Sequence, residues 1–133
     1  MKHILIYLIL SFFWSCNGSW SNEIEVFFAS RDMHVSNPLS CMALEVEFGD
    51  VLQHKTLDND TLQSELFKRV KMLKKAEKES IFDARAIILF PNNNKIDTLC
   101  IGGHFGIILN GQEMEDDPEL VKLIWAEIES VSN

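Results

Sequence analysis

The chain has 133 residues, a formal charge of −8 and an apolar fraction of 47%. That length suits one domain with its own core, and the composition excludes a disordered chain. The acidic balance, with no basic face to offset it, argues against nucleic acid as a partner and makes an anionic bilayer unfavourable for the folded body.

The N-terminus carries Lys2 and then an apolar run, Ile4 to Trp14, interrupted only by Ser11. A bilayer core of about 30 Å needs roughly 20 helical residues, so this run is too short to span and instead matches a signal-peptide core. Its loss would remove Lys2 and leave the body more acidic. Ser15-Cys16 closes the run and resembles the end of a bacterial lipobox, in which a small residue precedes a cysteine. Phe13 and Trp14 stand where that family usually has a leucine and a small residue. The resemblance covers residues 1–16 only. It implies that Cys16 becomes the lipid-bearing first residue of a periplasm-facing cell-envelope protein, with the membrane as a partner through that lipid. Ordinary signal-peptidase cleavage, with Cys16 and Gly18 as the small flanking residues, is the alternative and gives a secreted chain. The expected division is a signal peptide over 1–15, a tether over 16–22 and one domain over 23–133.

In the body, Ile24, Val26 and Phe28 alternate with Glu23, Glu25 and Phe27 as in a half-buried strand. Residues 30–40 read as a loop, with Asn37-Pro38 as a turn signal. In 41–48, "CMALEVEF", Met42, Leu44, Val46 and Phe48 alternate with Ala43, Glu45 and Glu47, which predicts a strand. Gly49-Asp50 would then turn it into a second strand, "VLQHKTL". Residues 58–80 predict a helix with Asp60 as N-cap and Gln63 completing the cap. Leu62, Leu66, Val70 and Leu73 form its stripe, Phe67 flanks it, and Glu65 and Arg69 pair at i,i+4. Lysines fill its last turns, where they suit the helix dipole.

"ARAIILF", "KIDTLCIGG" and "FGIIL" predict three further strands. Asn110-Gly111 is the strongest hairpin signal and returns the chain into "QEME". "DDPELVKLIWAEIESV" predicts a closing helix with Asp117 as cap and Pro118 at its first position. Its stripe is Leu120, Ile124, Ile128 and Val131, widened by Leu123 and Val121. Trp125 beside that stripe is a core residue by position. The expected fold is α+β in two layers: an antiparallel sheet of about five or six strands with two helices packed on one face.

The chemistry-bearing residues are few. Cys41 and Cys100 form an even pair once Cys16 is set aside, and an exported protein permits a disulfide between them; separate buried thiols are the alternative. His34, Cys41, His54, Cys100 and His104 lack metal-ligand spacing, so no cofactor is expected. No Gly-x-Ser-x-Gly elbow is present. The three glycines of "IGGHFG" have no strand-to-helix context for phosphate and read as a strand bend. Glu45, Glu47 and Asp97 would share an open acidic sheet face that could meet a basic protein. The functional expectation is therefore a small lipid-anchored envelope protein that acts by binding, as an adaptor, inhibitor or immunity-type protein. The alternative is a small periplasmic hydrolase with its site near His104 and Asp97.

Overall fold

The structure, a computed structural model, describes residues 23–130. The elements are β1 (Ile24–Phe28), α1 (Cys41–Phe48), β2 (Gln53–Leu57), α2 (Asp60–Met72), β3 (Ala84–Asn92), β4 (Lys95–Gly102), β5 (Ile107–Leu109), β6 (Gln112–Met114) and α3 (Pro118–Glu129). The fold is α+β, with one six-stranded sheet in the order β2-β1-β3-β4-β5-β6. All neighbouring strands are antiparallel. Because β2 and β3 both run against β1, they are parallel to each other, and α2 supplies the crossover such a pair requires.

Strand alternation divides the core in two. Ile24, Val26, Ala86, Ile88, Phe90, Leu99, Ile101 and Ile107 face α2 and α3. From α2, Leu62 and Leu66 are buried against them, with Phe67, Val70 and Leu73 packed alongside. From α3, the buried residues are Leu120, Val121, Ile124, Trp125 and Ile128. The alternate residues of the same strands, Ile87 and Cys100, face a smaller cluster with Leu39 and Leu44.

Leu44 lies where the sequence predicts a strand. Residues 41–48 form α1, not a strand, and α1 lies on the sheet face opposite α2 and α3. The expected two layers therefore gain a third helix on the far side. The local cause is Ser40, whose hydroxyl accepts from the Ala43 amide at 3.0 Å while its carbonyl accepts from Leu44 at 2.9 Å. Gly49–Val51 extends α1 as a 3-10 turn, so the expected Gly49-Asp50 hairpin is absent. The strand that follows does form, but β2 pairs with β1.

The cap of α2 falls one residue early. The Asn59 side chain accepts from Leu62 at 3.1 Å, and the Gln63 amide donates to the Leu57 carbonyl at 2.7 Å. Arg69 pairs with Glu65 at 3.0 Å, as i,i+4 spacing predicts, and also reaches Asp117 at 3.4 Å, tying α2 to the cap of α3. The helix stops at Met72, not near residue 80. Beyond it, Ala76 donates to Glu113 at 3.1 Å and Glu115 donates to Lys74 at 2.7 Å. This segment borders β6 and closes an edge that would otherwise be open to another chain. Lys74, Lys75 and Lys78 thus lie past the helix instead of in its last turns.

At Asn110 and Gly111, φ values of 49° and 80° make the tight turn expected there. Asp117 accepts from Leu120 at 3.0 Å and caps α3 with Pro118 at its start. Val131, expected on the α3 stripe, lies outside the described residues, as do Cys16 and the whole leader.

Candidate functional site

The candidate surfaces are the loop between β4 and β5 and the outward side of α1. The loop, Gly102-Gly103-His104-Phe105-Gly106, is held from several sides. The indole Nε1 of Trp125 donates to the Gly102 carbonyl at 2.9 Å. Arg31 Nε donates to the Gly103 carbonyl at 2.7 Å. The Gly106 amide donates to Asp116 at 2.7 Å. A Cβ on Gly102 would sit 2.0 Å from the Phe105 carbonyl oxygen, so only glycine fits that approach. The loop thereby presents His104 and Phe105 to solvent.

Arg31 organises this end. Its guanidinium lies 5.6 Å from the Trp125 ring centre, pairs with Glu129 at 3.4 Å, and places Nη2 3.2 Å from His104 Nδ1. Arginine has donors only. In that contact the His104 Nδ1 can only accept.

Beside it is Arg85, the extra residue of a β-bulge: Ala84 and Ala86 oppose consecutive residues Gly102 and Ile101. The bulge turns a buried guanidinium onto Asp83, with Nη1 2.8 Å from Oδ1 and a second, close contact from Nη2 to Oδ2. Nη2 also donates to the Met33 carbonyl at 2.7 Å. Asp83 Oδ1 accepts in turn from the Leu39 amide at 2.8 Å. These groups fix the 29–39 loop to the sheet. A recess of about 120 Å³ is lined by Arg31, Asp83, Arg85, Gly103, His104 and Phe105.

No serine, threonine or cysteine lines that recess, so His104 has no nucleophile beside it there. Asp97 is remote as well. It lies toward the opposite end of β4, where it accepts from Asn92 and Asn110. The structure does not bring His104 and Asp97 together.

Glu45 and Glu47 also part from Asp97. Both are on α1 and exposed, whereas Asp97 is on β4 in register with Phe90, on the α2 and α3 side of the sheet by alternation. The shared acidic sheet face does not form. What forms is an exposed helix with an apolar ridge. Met42 and Val46, at i and i+4, are 76% and 77% exposed, and Val51 just beyond is 70% exposed. At 3.6 residues per turn, Glu45 and Glu47 flank this ridge on either side, and Asp50 follows at the end.

None of Glu45, Glu47 and Asp50 takes part in an ion pair among the described residues. The opposite side of α1 is anchored by Leu44, which is fully buried, and by a disulfide from Cys41 to Cys100 on β4. The helix is thus pinned to the sheet while its outer side stays bare.

The other histidines among the described residues are elsewhere. His34 is exposed in the 29–39 loop. His54 on β2 pairs closely with Glu25 on β1 and stacks on Phe27 with ring centres 4.7 Å apart. Among the described residues no group of three or more His, Cys, Asp or Glu side chains is placed to hold a metal ion, and no helix is long and apolar enough to cross a membrane. No family model matches this chain, nor does any curated protein or solved structure.

Proposed function

We propose that this chain is exported, is anchored through lipid on Cys16, and works in the bacterial cell envelope as a non-catalytic protein-binding module whose working surface is α1. One observation carries the reading: the Cys41–Cys100 disulfide pins a helix whose outward Met42 and Val46 stand in solvent. Disulfides persist in oxidising compartments, in keeping with export. A large apolar side chain held out in water marks an interaction site when it has neighbours of the same kind.

The topology suits an anchored binder. β1 begins at Ile24, paired with Leu57, so the tether enters at the sheet end that also carries Asn110 and the β3–β4 turn. The seven tether residues reach at most about 25 Å. The start of α1 lies at the other end, where Ala84 donates to Leu39 at 2.8 Å. A short tether would therefore hold α1 away from the bilayer. The hydrolase alternative is weaker, since the His104 recess has no nucleophile in its lining and Asp97 is not beside it.

Two measurements in the producing cell test the two halves. Cys16→Ser is expected to move the protein out of the membrane fraction, and unchanged partitioning would overturn the anchoring. A photo-crosslinking residue at position 46 is expected to give an adduct of one defined mass that the same residue at position 61, on α2, does not give. No adduct at 46, or the same adduct from both positions, would overturn the binding surface.

A further inference from the structure

The chemistry of α1 narrows what can cover it. We propose that its outward face docks a partner protein whose surface is an apolar slot flanked by lysine or arginine side chains. This rests on the reading of α1 as the binding surface and names the partner class.

The argument begins with what α1 exposes. Met42 and Val46 form a ridge one helical turn apart, and both stand in solvent. Their burial would supply the affinity. Glu45 and Glu47 lie to either side and Asp50 at the end, all exposed and without an ion-pair partner among the described residues. A neutral apolar partner would bring its surface over carboxylates that gain nothing in return, at a desolvation cost. Cations on both rims of a slot would answer them, fixing orientation and speeding encounter.

The other occupants fit less well. The apolar run Ile4 to Trp14 of this chain carries no charge to meet the acids. An anionic lipid surface would be repelled. A second copy could offer Met72, which is 59% exposed, beside Lys68 and Lys71 on α2. Such a contact would join unlike surfaces head to tail and leave the chain open to unlimited growth.

The test uses residues 16–133 produced without the leader and carrying Cys16→Ser, so no lipid is attached, residues 23–130 are unchanged, and its outcome does not depend on anchoring. The probes are two synthetic helical peptides with the same leucine ridge, one flanked by lysines and one by glutamates. The lysine peptide is expected to bind saturably and the glutamate peptide not at all. Glu45→Lys with Glu47→Lys should weaken the lysine peptide roughly ten-fold or more, as should Met42→Ser with Val46→Ser. The same charge change at exposed positions after α2, Glu77→Lys with Glu79→Lys, should shift it less than about two-fold.

Unchanged circular dichroism and melting temperature in each variant establish that the fold is intact. Equal weakening in the Glu77 and Glu79 control would mean diffuse charge attraction and overturn the proposal. So would equal binding of both peptides. Sedimentation of the chain alone showing association abolished by Glu45→Lys with Glu47→Lys would make the occupant a second copy, which also overturns it.

Discussion

The indole nitrogen of Trp125, in the middle of α3, donates to the carbonyl of Gly102 at the end of β4, 2.9 Å away in the core. This single bond connects the closing helix to the loop that displays His104. Phe28 meets the same ring edge-on at 6.4 Å, and Arg31 covers it from outside. Trp125→Phe keeps much of the ring packing but leaves the Gly102 carbonyl buried without a donor, a loss of about 1–3 kcal/mol. Urea unfolding is expected to show that drop in midpoint with an unchanged slope. A variant as stable as the parent would mean that water or another donor already satisfies the carbonyl.

The Asp83–Arg85 pair is buried on one side only: Arg85 is 4% exposed while Asp83 reaches the surface. Removing Asp83 strands a buried guanidinium and also frees the Leu39 amide. Breaking a buried pair from one side costs about 3–5 kcal/mol, and removing both partners costs less. Asp83→Ala is therefore expected to destabilise more than Asp83→Ala with Arg85→Met. Equal losses in chemical denaturation would show that the pair contributes through the Leu39 contact alone.

Much of this architecture is legible in the sequence where one period dominates. From residue 84 onward, long apolar strands, Asn110-Gly111 and the Asp117-Pro118 start leave little choice, and the strands and closing helix follow them. Residues 41–48 are different because they satisfy two periods. Met42, Leu44, Val46 and Phe48 alternate as in a strand, while Cys41, Leu44 and Phe48 recur at helical spacing. The helix prevails through the Ser40 cap and burial of Leu44 on the sheet. Met42 and Val46 complete the false alternation because they are apolar yet exposed, so the residues that obscure the helix are those that make its outer side a candidate surface. The tail of α2 reads too long because the lysines after Met72 are good helix formers, and local propensity does not reveal pairing with β6. The separation of His104 from Asp97 is a matter of strand register, since seven residues of extended chain carry them to different ends of the sheet.

The disulfide links a helix to a strand across 59 residues of chain. The chain-entropy account gives such a loop about 4 kcal/mol of stabilisation. Replacing Cys41 and Cys100 together by alanine should lower stability by about that amount, measured by denaturant unfolding. Amides of α1 should also exchange with solvent faster than those of β3 and β4, because Leu44 becomes the main remaining anchor of the helix. If α1 retained its protection in this variant, packing alone would hold the helix, and the bond would act only on the unfolded chain.

Gly49 decides between the two readings of its neighbourhood. In the structure its φ and ψ are −49° and −42°, and nothing lies within 4 Å of where a Cβ would stand. Alanine fits that backbone and restricts the unfolded chain, so Gly49→Ala should raise stability by about 0.4–1 kcal/mol. A two-residue hairpin at Gly49-Asp50 would instead hold the first of these residues at positive φ, where alanine is strained and the same substitution destabilises. The sign of the change in thermal midpoint therefore separates helix from hairpin. A fall would remove the exposed ridge of Met42 and Val46, because on a strand those two residues would share the face that buries Leu44.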